Sequence, residues 1–290
     1  MIREGNLPDF FVRMKDMTKI RLIASDLDGT LLKDGAQSLR PDTCTLIERL
    51  LDRGIRFAAA SGRQPDNLYR LFAPVKDRID YVCQNGASAV VSGRRILYEP
   101  MDVQAAHEIA AAIRSVPGLE LFVSDFECSY VEQGHDAFLR LVRDTVKINT
   151  EASDDILSTT NGCAKISIYE EAGIHCMEYW QKRYGDRLTV VTGGPQWLDF
   201  MPKGVNKQTA LKRMLEVLDI RPEEVMVFGD NLNDLEMLEY AGCGAAVDSA
   251  VPEILACADA KVHTVEDALA EIASGKDRIE DWTGGCRKWQ

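Results

Sequence analysis

Two short stretches hold the side chains best suited to covalent and metal chemistry. In the first, Ser25-Asp26-Leu27-Asp28-Gly29-Thr30, two carboxylates stand two residues apart, directly after an apolar run over residues 20–25. If the backbone stays extended through Leu27, the two side chains point different ways. Asp26 can then bind a metal and attack an electrophile, while Asp28 is placed for proton transfer. In the second, Gly229-Asp230-Asn231-Leu232-Asn233-Asp234, carboxylates again follow an apolar run, at 225–228. Asp230 at a strand end and Asp234 near the start of the next helix can converge on one ion, and hard oxygen ligands suit Mg²⁺. Plainer readings exist. An Asp-x-Asp can be a solvated turn, and Asn231, Asn233 and Asp234 can cap a helix and balance its dipole. The apolar strand ahead of each motif argues against a mere turn, and capping does not account for Asp230.

Bringing these groups together requires strands that end at one edge. Residues 20–25 read as a buried parallel strand. Residues 41–53 show helical periodicity through Leu46, Ile47, Leu50 and Leu51 and stop at Gly54, and 55–60 is another buried strand. A helix at 65–71 and a strand at 81–84 extend the alternation, which predicts a doubly wound α/β sheet with right-handed crossovers. After Asn85-Gly86 the pattern changes. A hairpin about Ser92-Gly93, a helix at 103–114, strands at 119–124, 128–131, 165–169 and 188–191, and helices at 137–144 and 174–184 predict a separate α+β module. From Asn206 the first pattern returns, with helices at 206–218 and 232–240 and strands at 225–228 and 244–247. The expected organisation is an N-terminal extension (1–16), a Rossmann-like core (17–86 and 193–274) interrupted by an α+β insert (87–192), and a tail (275–290) carrying Trp282 and Trp289. Such an insert lies over the carboxyl ends of the strands, where these sheets bind ligands.

The bulk properties narrow the partners. With 290 residues, 46% of them hydrophobic, the chain can bury two cores of ordinary size. A formal net charge of −12 argues against nucleic acid or an anionic membrane as partner, so an anionic ligand needs local positive charge. Eight scattered cysteines without a Cys-x-x-Cys pair point to free thiols in a reducing cytoplasm. The N-terminal residues lack the apolar core of a secretory signal, and no run reaches membrane-spanning length. A cytoplasmic monomer or small homo-oligomer is expected. His107, His135, His175 and His263 are isolated from one another and from the cysteines, which speaks against a histidine metal site.

Asp26-Leu-Asp-Gly-Thr-Leu-Leu, Ser61-Gly62-Arg63 after a strand, Lys207 at the end of Lys203-Gly-Val-Asn-Lys, and Gly229-Asp-Asn-Leu-Asn-Asp occur in a familiar order. Over residues 19–270 the chain resembles the haloacid dehalogenase-like hydrolase superfamily. The insert between Ser61 and Lys207, entered at Asn85-Gly86, resembles that of the Cof-type phosphatases with a type IIB cap. The resemblance implies Mg²⁺-dependent hydrolysis of a small phosphorylated metabolite (a sugar phosphate, nucleotide or phosphorylated cofactor) through an aspartyl phosphate on Asp26. It makes Asp28 the acid and base and Asp26, Asp28 (through its carbonyl) and Asp230 the metal ligands, with Asp234 a further or outer carboxylate. Ser61 and Gly62 then hold a phosphoryl oxygen, Asn233 touches phosphate, and Lys207, rather than Lys203, neutralises the transferring group and keeps Asp26 ionised. Asn206 is read as a helix cap. Arg63 either braces the phosphate loop or pairs with a neighbouring carboxylate. Arg140, Arg143, Lys147 and Lys165 either meet a substrate anion or form a solvated face. The competing readings are a phosphomutase of phosphomannomutase type and a phosphometabolite-binding regulator.

Overall fold

The structure, a computed structural model, describes residues 18–158 and 162–283. The extension expected at 1–16, Met17 and Trp289 lie outside the described residues. Among the described residues fourteen strands form two sheets. The larger contains β1 (Leu22–Ser25), β2 (Arg56–Ala60), β3 (Asp80–Cys83), β4 (Ser88–Val91), β5 (Arg94–Tyr98), β12 (Val225–Gly229), β13 (Cys243–Val247) and β14 (Ala260–Val262), in the order β14-β13-β12-β1-β2-β3-β4-β5. The strands from β14 to β3 run parallel, and β4 and β5 are antiparallel additions. Parallel strands covered on both faces need apolar side chains throughout, and every residue of β1, β12 and β13 is buried.

The order places the site. From β1 the chain winds outward through β2 and β3, and on its return it enters beside β1 as β12 and winds the other way. The switch point therefore lies between β1 and β12, paired in parallel from Leu22↔Val225 to Ser25↔Phe228. Residues 26–30 and 229–234 leave the sheet side by side.

The smaller sheet comprises β6 (Glu120–Ser124), β7 (Ser129–Glu132), β8 (Thr150–Ser153), β9 (Lys165–Tyr169), β10 (Leu188–Gly194) and β11 (Trp197–Pro202), in the order β10-β11-β9-β6-β7-β8. Its apolar face packs on the helices Val103–Arg114 and Met177–Tyr184 through Ile109, Ile113, Trp180, Tyr184, Ile166 and Phe200. Strand pairing departs from the expected insert at both ends. The 88–98 hairpin, assigned to the insert, hydrogen-bonds to β3 and closes the edge of the main sheet. Residues 197–202, assigned to the returning core, pair with β9 and β10 in the smaller sheet. A hairpin sequence fixes its own turn but not the strand its outer edge joins, and that accounts for the first difference.

Residues 275–283 of the tail have a definite seat. Backbone bonds from Ile20 to Asp277 and from Ile279 to Thr18 hold them beside the start of β1, and the Trp282 indole donates to the Lys276 carbonyl while the Lys276 ammonium lies 3.8 Å from its ring centre.

Candidate active site

Asp26 is the first residue beyond β1. Its amide donates to the Phe228 carbonyl at 2.9 Å, continuing the β1–β12 ladder, and its carboxylate is almost wholly buried. Lys207 arrives from elsewhere, as the first residue of the helix Lys207–Leu218. Asn206 caps that helix as expected, its side chain accepting from the Thr209 amide at 2.8 Å. The close approach of this helix start to the end of β3 depends on Gly86, whose φ is +100° and whose Cβ position would lie 2.0 Å from the Asn206 carbonyl oxygen.

The Lys207 ammonium is fully buried and donates to Asp26 Oδ1 at 2.5 Å and to Asp234 Oδ1 at 2.6 Å. The other oxygen of Asp234 accepts from the amides of Asp230 and Asn231 at 3.1 and 3.2 Å. Asp230 Oδ1 accepts from the Thr30 hydroxyl at 2.6 Å. One carboxylate oxygen from each of Asp26, Asp230 and Asp234 lies within 4.8 Å of the others. Gly29 makes room for this: its φ is +96°, and a Cβ there would fall 2.2 Å from Asp230 Oδ2.

Burial pushes Asp26 well above the ordinary carboxyl range; Lys207 opposes this, while Asp234 and Asp230 add to it. Burial, reinforced by Asp234, also raises Asp230 against the hydrogen bond from Thr30. Burial works against the charge of Lys207, but Asp234 and Asp26 outweigh it and its pKa is raised. The expectation that Lys207 keeps Asp26 ionised therefore covers only part of the balance. Three carboxylates converge and only two of them bond the Lys207 ammonium, and a hard divalent cation fits both the oxygen donors and the unbalanced charge.

Asp28 is placed differently. Its side chain is 56% exposed and outside the three-carboxylate group, held by Arg63 through Nη2 to Oδ1 at 2.5 Å and Nε to Oδ2 at 2.9 Å. Of the two readings of Arg63, pairing with a carboxylate is the one seen. Ser61 and Gly62 follow β2. The Ser61 amide donates to Val82, its carbonyl accepts from Asn85, and its Oγ accepts from the Arg63 amide at 3.2 Å. The helix after this turn is capped at Gln64, so Ser61 is not its cap. Asn85, in a left-handed conformation at φ 54°, packs 3.1 to 3.3 Å from a Cβ position on Gly62 and accepts from Asn233 Nδ2 at 3.3 Å. Ser61, Gly62 and Asn233 thus meet around Asn85, whose part in the site was not legible beyond the Asn-Gly turn signal.

The smaller sheet reaches the same place. Lys165 on β9 donates to Asp199 on β11 at 2.8 Å and to the Gly62 carbonyl at 3.4 Å. Asp199 also accepts from Asn85 Nδ2 at 3.2 Å and from the Ser167 hydroxyl at 2.7 Å. Sequence reading missed Asp199; its signal is a lone carboxylate within the apolar run Trp-Leu-Asp-Phe-Met. Of the other basic residues, Arg143 donates to the Thr150 carbonyl and Lys203 to the Gly185 carbonyl, while Lys147 offers its backbone carbonyl to Asn67, whose side-chain oxygen accepts from Arg63. His135, His175 and His263 each face one carboxylate, and among the described residues no histidine joins a metal-binding cluster.

A family model for haloacid dehalogenase-like hydrolases matches residues 23–272. The chain belongs to that family. It is a Cof-type member and an HAD-type phosphatase. An Escherichia coli K12 relative, 5-amino-6-(5-phospho-D-ribitylamino)uracil phosphatase YbjI, is 27% identical over 241 residues, which cover 82% of this chain and 89% of that one. A crystal structure from Eubacterium rectale superposes with a TM-score of 0.78 at 31% identity, covering 87% of this chain and 99% of the other. The HAD subclass IIB sugar phosphatase BT4131 superposes with a TM-score of 0.71 at 22% identity, over 88% and 97% of the two chains; this likeness concerns the fold. Among the described residues no helix is long and apolar enough to cross a membrane.

Proposed function

We propose that this phosphatase hydrolyses a small phosphorylated metabolite in two steps, with Asp26 as nucleophile and Mg²⁺ as cofactor. The observation that carries the reading is the fully buried Lys207 ammonium bonded to both Asp26 and Asp234, which ties three sequence-distant segments together at one place. An Asp26 oxygen attacks phosphorus, the ester P–O bond breaks, and Asp28 gives its proton to the leaving oxygen. Water then attacks the aspartyl phosphate, Asp28 takes the proton back, and inorganic phosphate leaves with Asp26 restored. For this, Asp28 must leave its pair with Arg63. Asp26, Asp230 and the Asp28 carbonyl would hold Mg²⁺, which supplies charge neutralisation for the phosphoryl oxygens. Asp234, with both oxygens already engaged, orients Lys207 and the Asp230 loop. Lys207, Ser61, the amides of the Gly62 turn and Asn233 would receive the phosphoryl oxygens.

The cap over the site and the relatives support a small-molecule substrate. The E. coli relative is named for a phosphoribityl compound, which supports a phosphorylated sugar-like chain over a macromolecule. Phosphate release from a panel of phosphorylated metabolites, with Mg²⁺ and with EDTA, tests the reading. Turnover that requires Mg²⁺ and disappears in Asp26→Asn supports it; turnover unaffected by that substitution would falsify the nucleophile assignment.

A further inference from the structure

Lys165 is the cap's cation at the phosphate turn. Its side chain is 12% exposed, and it spans from β9 of the smaller sheet to the Gly62 carbonyl of the main domain. An ammonium has three N–H donors, and the contacts to Asp199 and Gly62 use two. Asp199 is closed off: its side chain is 2% exposed, and its oxygens already accept from Lys165, Asn85 and Ser167. The exposed end of the pair is therefore a donor. Its charge is neutralised at 2.8 Å, so the pair as a whole offers little attraction for a second anionic group.

We propose that Lys165 is a specificity-determining residue that donates a hydrogen bond to a hydroxyl of an uncharged leaving group, next to the phosphoester, and that Asp199 positions it. The inference rests on the two-step phosphatase reading above, because Ser61 and Gly62 must hold the phosphoryl group for Lys165 to face what is attached to it. A site that hydrogen-bonds a substrate hydroxyl discriminates strongly against an analogue lacking one, since its buried donor is then unpaired.

The test measures phosphate release with Mg²⁺ from ribitol 5-phosphate and from p-nitrophenyl phosphate, whose leaving group bears no aliphatic hydroxyl. The wild type is expected to favour ribitol 5-phosphate in kcat/KM. Lys165→Met should lower the ratio of the two kcat/KM values by about tenfold or more, chiefly through KM for ribitol 5-phosphate. Because that variant leaves Asp199 buried without its partner, the double variant Lys165→Met with Asp199→Asn is measured beside it. A lowered ratio in the double variant supports the proposal. A ratio returned to the wild-type value shows that Lys165 serves only to neutralise Asp199, and overturns it. A wild type that cleaves p-nitrophenyl phosphate without favouring the polyol ester, or that cleaves other esters of the metabolite panel but not ribitol 5-phosphate, also overturns it but leaves the phosphatase reading intact, whereas no turnover across the whole panel contradicts both.

Discussion

Replacing Lys207 by methionine keeps most of the side-chain volume and removes the charge together with the N–H donors that bond Asp26 and Asp234. Lys207 is fully buried, and its ammonium is shared by Asp26 and Asp234, themselves almost wholly buried. Taking one partner from a buried ion pair costs on the order of 3–5 kcal/mol, because the remaining charge has neither water nor a counter-ion. At this chain length, about 1.6 °C of melting temperature accompanies each kcal/mol, so a fall of about 5–8 °C is expected at pH 7 in EDTA. The pH sign is defined. Lys207 has a raised pKa when folded, so its contribution is complete below the unfolded value of about 10.4 and fades only above it. Neutral pH therefore reports the full effect. Melting followed by circular dichroism gives the measurement, and adding Asp234→Asn to Lys207→Met should recover part of the loss. A change below about 2 °C, or no recovery in the double variant, would refute the view that this ammonium offsets two buried carboxylates.

Two further outcomes follow from the same cluster. Gly29→Ala should drive Asp230 from its place, because the added Cβ falls 2.2 Å from its Oδ2 and φ is +96°; Mg²⁺ affinity by titration calorimetry is expected to drop about tenfold or more, at little cost to the sheet. Burial and neighbouring carboxylates raise Asp26 and Asp230, so protons compete with Mg²⁺ at pH values where an ordinary carboxylate is already ionised. Apparent Mg²⁺ affinity should weaken on acidification before the ordinary carboxyl range is reached, with proton release on binding, whereas a profile that stays flat until that range contradicts the raised pKa values.

The sequence revealed the main chemistry because the acidic motifs directly follow apolar strands, and a doubly wound sheet has few ways to arrange strands that end in Asp26, Ser61 and Asp230. The returning helix at 207–218 was equally plain from its periodicity and its Asn206 cap. What stayed hidden depends on pairing between distant segments. Nothing local to 88–98 says that β4 joins β3, and β11 was obscured because Asp199 and Pro202 interrupt its apolar pattern. The same blindness concealed Asp199 and the part played by Asn85: each is an ordinary strand or turn residue until the smaller sheet is seated over the main one.

The most direct test of the account is to trap the intermediate. Mg²⁺-loaded protein mixed with an excess of a substrate found in the metabolite panel, acid-quenched during turnover and mapped by peptide mass spectrometry, should carry one phosphoryl group on the peptide containing Asp26. The adduct should vanish after treatment with neutral hydroxylamine, which cleaves acyl phosphates. A phosphoryl group found stably on another residue, or turnover through Asp28 with Asp26 replaced by Asn, would contradict it.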